Sequence, residues 1–191
     1  MAEVRGSPLI LYKQYVIDNL GEDKLHNILD KMAEGNRNVF LSEMDPEKWY
    51  PLIVMQDFLD AFESVLGRNN NLKLARYTFE HQMHGFYGLI SQFLTLDIVL
   101  GRFQKMWGKF YSEGTIDINK ISDDSLTLEV KDLRFTEAHL YGFMFYCEAV
   151  LEKVTKKKIM TTPIQKDCLH TLFKFKLVNY NPERLASVAL A

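Results

Sequence analysis

The residues of this chain best equipped for chemistry are two histidines three positions apart. Glu80-His81-Gln82-Met83-His84 lies in a stretch of helical periodicity, and residues three or four apart share a helix face. His81 and His84 would then point the same way, as a ligand pair for a metal or heme, because neutral imidazole supplies a lone pair to such centres. The competing reading leaves one imidazole exposed and the other hydrogen-bonded within the helix packing. Cys168 and His170 form a second pair. On a strand they would share a face, but zinc needs two further ligands and none lies nearby, which favours a structural role. GxGxxG, GxxxxGK[ST], HExxH, GxSxG and CxxC are all absent, so no phosphate cradle, zincin site or nucleophile elbow is encoded. No nucleophile–base pair can be named from spacing, and the chain is not expected to be an enzyme.

The second constellation is aromatic. Tyr77, Phe79, Phe86, Tyr87, Phe93, Phe103, Trp107, Phe110, Tyr111, Tyr141, Phe143, Phe145 and Tyr146 crowd three expected helices. Rings in such numbers build a core, and in a small domain they also line an elongated apolar cavity able to admit a flat or acyl ligand. If a ligand sits there, the expected contacts are Tyr77, His81, His84, Trp107 and Tyr141, with rings as walls and imidazoles as polar fixing points.

Bulk properties narrow the classes. The 191 residues are 47% hydrophobic, 13% aromatic and 25% charged, as in a globular domain with enough apolar mass to offset ordering entropy. With 23 basic and 25 acidic residues, no electrostatic footprint for nucleic acid exists. No run approaches the ~18 apolar residues of a membrane-spanning helix. The N-terminal apolar stretch is broken by Lys13 and Gln14 and lacks a small-residue cleavage site, so a cytoplasmic protein is expected. Its two cysteines, Cys147 and Cys168, are expected as reduced thiols rather than a disulfide framework.

The elements that must carry these residues follow from periodicity. Ser7-Pro8 opens a first helix and Gly21 closes it. Leu25, Ile28, Leu29 and Met32 mark a second, followed by a linking stretch anchored by Phe40 and Leu41. Asp45-Pro46 and Tyr50-Pro51 punctuate the entry to a third, whose apolar stripe runs from Leu52 to Leu66. Gly67 and Asn69-Asn70-Asn71 end it. A fourth helix, about 72–94, is apolar around most of its circumference and is the expected central helix. A fifth begins at Leu96-Asp97 and breaks at Ser112-Glu113-Gly114. Period-two alternation then takes over in Thr115–Ile118 and Leu126–Val130, a hairpin turned by Ser122-Asp123-Asp124-Ser125. Thr136 caps a long helix to about Lys156, where Lys156-Lys157-Lys158 reads as a solvated end. Ile159–Thr162 and Leu172–Leu177 add two strands. The fold class is α+β, a helical N-terminal half packed with a small antiparallel sheet of about four strands and a long helix. Residues 1–180 form one domain and 181–191 a frayed tail.

Several segments together resemble a bacterial, myxobacterial-type family of uncharacterised regulatory domains. They are Arg5-Gly6-Ser7, Gly21-Glu22, Trp49-Tyr50-Pro51, Leu96-Asp97 with Trp107 and Tyr111, Gly114 before an alternating strand, and Phe173-Lys174-Phe175-Lys176-Leu177. That family is similar to a superfamily of 4-vinyl-reductase-type domains, heme nitric-oxide-binding domains and subunits of the Golgi tethering particle (TRAPP). The resemblance implies a helical half with a small antiparallel sheet, a hydrophobic ligand pocket between them, and dimers. This chain also departs from the pattern. In the heme-binding branch a proximal His follows a Leu-Asp pair, and a Tyr-x-Ser-x-Arg motif clamps the propionates. Here Ile98, Val99 and Leu100 follow Leu96-Asp97, and no Tyr-x-Ser-x-Arg occurs. Heme would have to be held by His81 or His84 instead. The paired cysteines of the vinyl-reductase branch reduce to Cys168, with Phe173 at the partner position.

The leading expectation is a non-enzymatic sensor that holds a hydrophobic or flat small molecule and signals through a dimer or partner surface. One alternative is a heme-binding gas or redox sensor using His81 or His84; the other is a ligand-free interaction scaffold. The expected partners are the small molecule and a second copy of the chain. Sedimentation equilibrium checks the homodimer: twice the chain mass is expected, and a concentration-independent monomer contradicts it.

Overall fold

Two periodicities divide the chain between helices and sheet. In the computed structural model, which describes residues 1–83 and 96–178, the elements run in this order. First come β1 (Glu3–Arg5), α1 (Gly6–Leu20), α2 (Glu22–Leu29), α3 (Glu34–Leu41) and β2 (Trp49–Pro51). They are followed by α4 (Leu52–Leu66), α5 (Asn69–Met83) and α6 (Leu96–Phe110). The last are β3 (Thr115–Ser122), β4 (Ser125–Lys131), α7 (Glu137–Thr155), β5 (Lys158–Asp167) and β6 (His170–Val178). The expected α+β class holds. The C-terminal residues expected to fray, 181–191, lie outside the described residues, as does the stretch 84–94 of the expected fourth helix.

The larger sheet is antiparallel with strand order β3-β4-β6-β5. Every second residue of β4 is buried (Leu126, Leu128, Val130), and so are Phe173, Phe175 and Leu177 of β6. The register sets Leu126 opposite Phe175 and Leu128 opposite Phe173, the cross-strand pairing of aromatic and aliphatic side chains that stabilises sheets. The face they form must be covered, and α7 covers it through Phe143, Met144, Cys147 and Leu151. Thr136 caps α7 by accepting a hydrogen bond from the His139 backbone N–H at 3.4 Å, the role its sequence position indicates. The hairpin turn and both later strands also form as expected.

In the helical half α4 supplies the core. Phe58 and Phe62 are fully buried, and Phe58 stacks on Phe40 at 4.6 Å between ring centres. Phe40 belongs to α3, which the sequence reading left as a linker. Its Ala33 backbone N–H and Asn36 side chain both donate to the Asp57 carboxylate, at 2.9 and 2.8 Å. A contact 24 residues away in sequence thus does the work that amphipathic periodicity does elsewhere. Asn69-Asn70-Asn71, read as a break, instead forms the first turn of α5. Asn70 donates to the Leu66 carbonyl at 2.5 Å and Asn71 to Glu63 at 2.6 Å. The described turns of α5 are also not apolar all round: Lys73, Arg76, Glu80 and His81 are exposed. The centre of the helical half is therefore α4.

Tyr50-Pro51, expected as punctuation, lies in strand β2, which pairs antiparallel with β1 in a small second sheet. Entry to α1 uses no side-chain cap. Instead the Gly6 and Ser7 backbone N–H groups donate to the carbonyls of Lys48 and Pro46, at 2.9 and 3.2 Å. Close approach explains the glycine, because a Cβ at residue 6 would overlap the Asp45 carbonyl oxygen and press on the Tyr50 ring. β1 also ties to the end of α6, where the Ser112 N–H donates to the Glu3 carbonyl at 3.0 Å. We expect Gly6→Ala to destabilise the chain by about 1–3 kcal/mol, the range for overpacking. Urea denaturation measures it; an unchanged midpoint would contradict the close approach.

Candidate functional site

Where α5 and α6 meet α7, with α1 at one end, the side chains do not close the interior. A cavity of about 100 Å³ remains. Its walls are Pro8 and Tyr12 of α1, Leu59 of α4, and Asn71, Leu74, Ala75, Thr78 and Gln82 of α5. The other side is Phe103, Met106, Trp107, Phe110 and Tyr111 at α6, and His139, Gly142, Phe143 and Tyr146 on α7. Interiors are packed like organic crystals and hold few voids larger than a water molecule. For scale, an engineered apolar cavity of roughly 150 Å³ takes up benzene.

Helical spacing explains how each wall is presented. On α5, Asn71, Leu74, Ala75 and Thr78 fall at i, i+3, i+4 and i+7, and all four are buried. On α7, His139, Phe143 and Cys147 recur every four residues on its buried side. Trp107 is anchored by its indole N–H, 3.0 Å from the Gly114 carbonyl. It stacks on Tyr111 at 4.4 Å and meets Phe143 edge-on at 5.8 Å.

The polar groups in this apolar wall are few. His139 is 1% exposed, and burial pushes its pKa down to about 3. Its surroundings define the tautomer. Gln56 Nε2 donates to the Arg134 carbonyl at 2.6 Å and, with its other hydrogen, faces Nδ1 at 3.4 Å. Nδ1 therefore accepts, and the ring proton sits on Nε2, 3.3 Å from the Tyr111 hydroxyl. Tyr146 donates to Gln82 Oε1 at 2.6 Å, and Thr78 donates back to the Leu74 carbonyl at 2.8 Å. Burial raises the pKa of Tyr12, Tyr111 and Tyr146, so all three are neutral phenols. Asn71 differs from these groups: its Oδ1 is buried with no hydrogen-bond partner.

Of the five residues singled out from the sequence, Trp107 lines the cavity. Tyr77, His81 and Tyr141 are placed outside the lining, and His84 lies outside the described residues. Tyr77 donates to Asp18 at 3.0 Å, with its pKa raised to about 12 by burial and that carboxylate. The exposed His81 ring stacks on Tyr77 at 3.7 Å, its Nδ1 2.8 Å from the Tyr77 carbonyl oxygen. Tyr141 lies under the Arg68 guanidinium at 4.1 Å. Spacing locates a helix but not its rotation, which here sets Tyr77, His81 and Tyr141 outside the described lining. His139 and Asn71 were missed. A histidine four residues before Phe143 on an apolar stripe was a legible signal; Asn71 was masked by the turn-like Asn triplet. His170 pairs with Glu129 at 2.6 Å, and Cys168 is exposed while Cys147 is buried. Among the described residues no group of three or more His, Cys, Asp or Glu is placed to hold a metal ion.

Comparison with known proteins finds likeness in structure alone. No protein-family model matches the chain, and no curated protein matches it. Solved structures do. The Fe(II) unliganded H-NOX protein from K. algicida superposes with a TM-score of 0.66 at 13% identity, over 93% of this chain and 98% of that one. An H-NOX protein from S. oneidensis in the Fe(II)NO ligation state gives 0.63 at 11% identity, over 92% and 99%. An oxygen-binding H-NOX domain related to soluble guanylate cyclases, as its oxygen complex, gives 0.63 at 12% identity, over 92% and 95%. At such identities the likeness establishes the fold. It bears on the heme nitric-oxide-binding arm of the resemblance, and not on the myxobacterial-type, vinyl-reductase or Golgi-tethering arms.

The buried imidazole generates a pH prediction. Its folded pKa of about 3 lies below the ordinary 6.5, so between these values the unfolded chain binds a proton that the folded chain refuses. Its contribution to stability is complete above pH 6.5 and is lost as pH falls towards 3. The stability difference between wild type and His139→Gln should shrink by on the order of 1 kcal/mol per pH unit below 6.5. Glu129, held down at about 2 by Lys166, His170 and Lys131, loses its contribution only below 4.5. Burial raises the Asp60 and Glu148 carboxyls, but both chains share them, so the difference between wild type and variant from pH 7 to 4.5 isolates the imidazole, and a difference independent of pH would contradict its burial as a neutral ring.

Proposed function

We propose that this chain is a non-catalytic sensor domain that holds a small, largely apolar molecule in the cavity between α5, α6 and α7. The observation that carries the reading is the space left among Phe103, Trp107, Phe143 and Tyr146. The site borders α7, which also covers the sheet. An occupant that touches α5 and α6 on one side and α7 on the other would bias how the helical half sits on the sheet. That is the differential contact a ligand needs in order to shift a population. A second copy of the chain or another protein would read the shift at the surface.

The H-NOX neighbours favour the second reading, a heme-binding gas sensor. The described cavity does not fit that group. The one imidazole among its described lining residues, His139, has the Nδ1 lone pair turned to Gln56 and its Nε2 proton turned to Tyr111. Its tyrosines are protonated. Among the described residues its lining contains no Arg or Lys to neutralise propionates, and α6 contains no histidine. Heme would therefore rest on His84, or on His81 after a change in that ring's surroundings. Fold alone does not transfer a ligand.

Absorbance and thermal melts of the purified chain separate the two readings. Under the cavity reading there is no Soret band. Toluene at a hundred times its Kd adds about 2.7 kcal/mol, a rise in Tm of roughly 5–10 °C for a domain of this size. Ala75→Leu, which fills the wall, removes the rise. A Soret band lost in His84→Ala or His81→Ala would establish the heme reading in its place, and an unchanged Tm with toluene would remove the cavity reading.

A further inference from the structure

Phe103 of α6 borders two voids at once, and from this we infer the shape of the ligand: an unbranched, uncharged hydrocarbon chain that passes the Phe103 ring and ends against the sheet. The first void is the cavity described above. The second measures about 20 Å³. Its walls include Val99 and Leu100 of α6, Ile118 and Leu128 of the sheet, and Cys147 and Val150 of α7. Among the described residues its only polar side chain is the Cys147 thiol, which burial keeps protonated.

The two voids follow one groove between α6 and α7. On α7 the first is walled by His139, Phe143 and Tyr146, and the second by Cys147, Val150 and Leu151. On α6 the order runs backwards, from Trp107 and Met106 to Leu100 and Val99, with Phe103 common to both. Along α7 the first void spans roughly 10 Å, and the two together span about 18 Å, at 1.5 Å per residue. Phe103 is the partition between them, and it is loosely held. Trp107 is hydrogen-bonded and stacks at 4.4 Å. The Phe103 ring centre lies 6.4 Å from both Phe143 and Tyr146, near the far limit of aromatic contact, and the side chain is only partly buried. A change of its rotamer, without movement of the backbone, joins the voids. A small apolar void stays dry, so hydrocarbon gains by entering the second one, and a charged group loses. A compact ring fills the first void and stops at Phe103; a chain bends past it. Phe103 thus determines the length of ligand that the domain accepts.

This inference rests on the cavity reading proposed above, and a series of linear alcohols separates the two. Calorimetric titration of the wild-type chain from n-butanol to n-decanol should show affinity rising about fourfold with each added methylene across the whole series. Methyl-labelled NMR locates the chain. n-Butanol should shift Leu59 and Leu74, which border the first void alone, and n-decanol should also shift Ile118, Leu128 and Val150, which border the second alone. Phe103→Ala removes the ring that must turn, and should tighten n-decanol relative to n-butanol by about threefold to tenfold. Affinity that levels off by n-hexanol, or n-decanol that leaves Ile118, Leu128 and Val150 unmoved, would overturn the inference, while toluene binding leaves the cavity reading intact. Binding of neither the alcohols nor toluene would remove both. If Phe103→Ala does not fold, the wild-type series decides alone.

Discussion

The structure depends on α7 having to bury two sides at once. The sheet presents Leu126, Leu128, Phe173 and Phe175 on one face, and an antiparallel sheet with one apolar face must be covered. α7 is the helix that covers it. Its other side, carrying His139, Gly142 and Tyr146, is left to the helical half, with Phe143 at the boundary between Phe173 and Trp107. The position of α7 is set by the strands, so α5 and α6 must accommodate it. Where the two sets of side chains fail to interdigitate, a void remains. The cavity is thus a property of the junction between two separately organised layers.

That junction also contains most of the unusual chemistry. A neutral histidine, three protonated tyrosines and a carbonyl oxygen without a donor gather around one apolar space. Elsewhere the Glu129–Lys166–His170 cluster lies on the sheet, Arg68 bridges Glu63 and Glu137 at the helix junction, and Arg37 Nε and Thr161 Oγ1 are likewise buried without a hydrogen-bond partner. Buried polar atoms cost stability unless paired. The H-NOX structures share this fold at 11–13% identity, and the described residues that line this cavity include no Arg or Lys. A backbone course alone does not determine what a fold holds; the side chains facing its interior do.

Elements with strong periodicity were legible in advance. The stripe of α4, the alternation of β3, β4 and β6, the cap at Thr136 and the breaks at Gly21, Gly67 and Gly114 each act within a few residues. Elements held by distant partners were not. α3 depends on Asp57 and Phe58, β2 has a partner only once β1 lies beside it, and the Asn triplet is helical because Leu66 and Glu63 accept from it. For the site, the aromatic helices and Trp107 were visible, whereas the rotation of each helix about its axis was not. Tyr77 and His81 look equivalent to Leu74 and Thr78 in a helical repeat until a neighbour selects the buried side.

The amino-acid order by itself determined the class of fold and the identity of its layers, because apolar spacing and turn chemistry act locally and survive without knowledge of partners. Tertiary structure alone decided which residues face the cavity, that His139 is neutral, and that Asn71 keeps an unanswered acceptor. Those outcomes depend on which side chains arrive from elsewhere in the chain to displace water, and no local pattern contains that information.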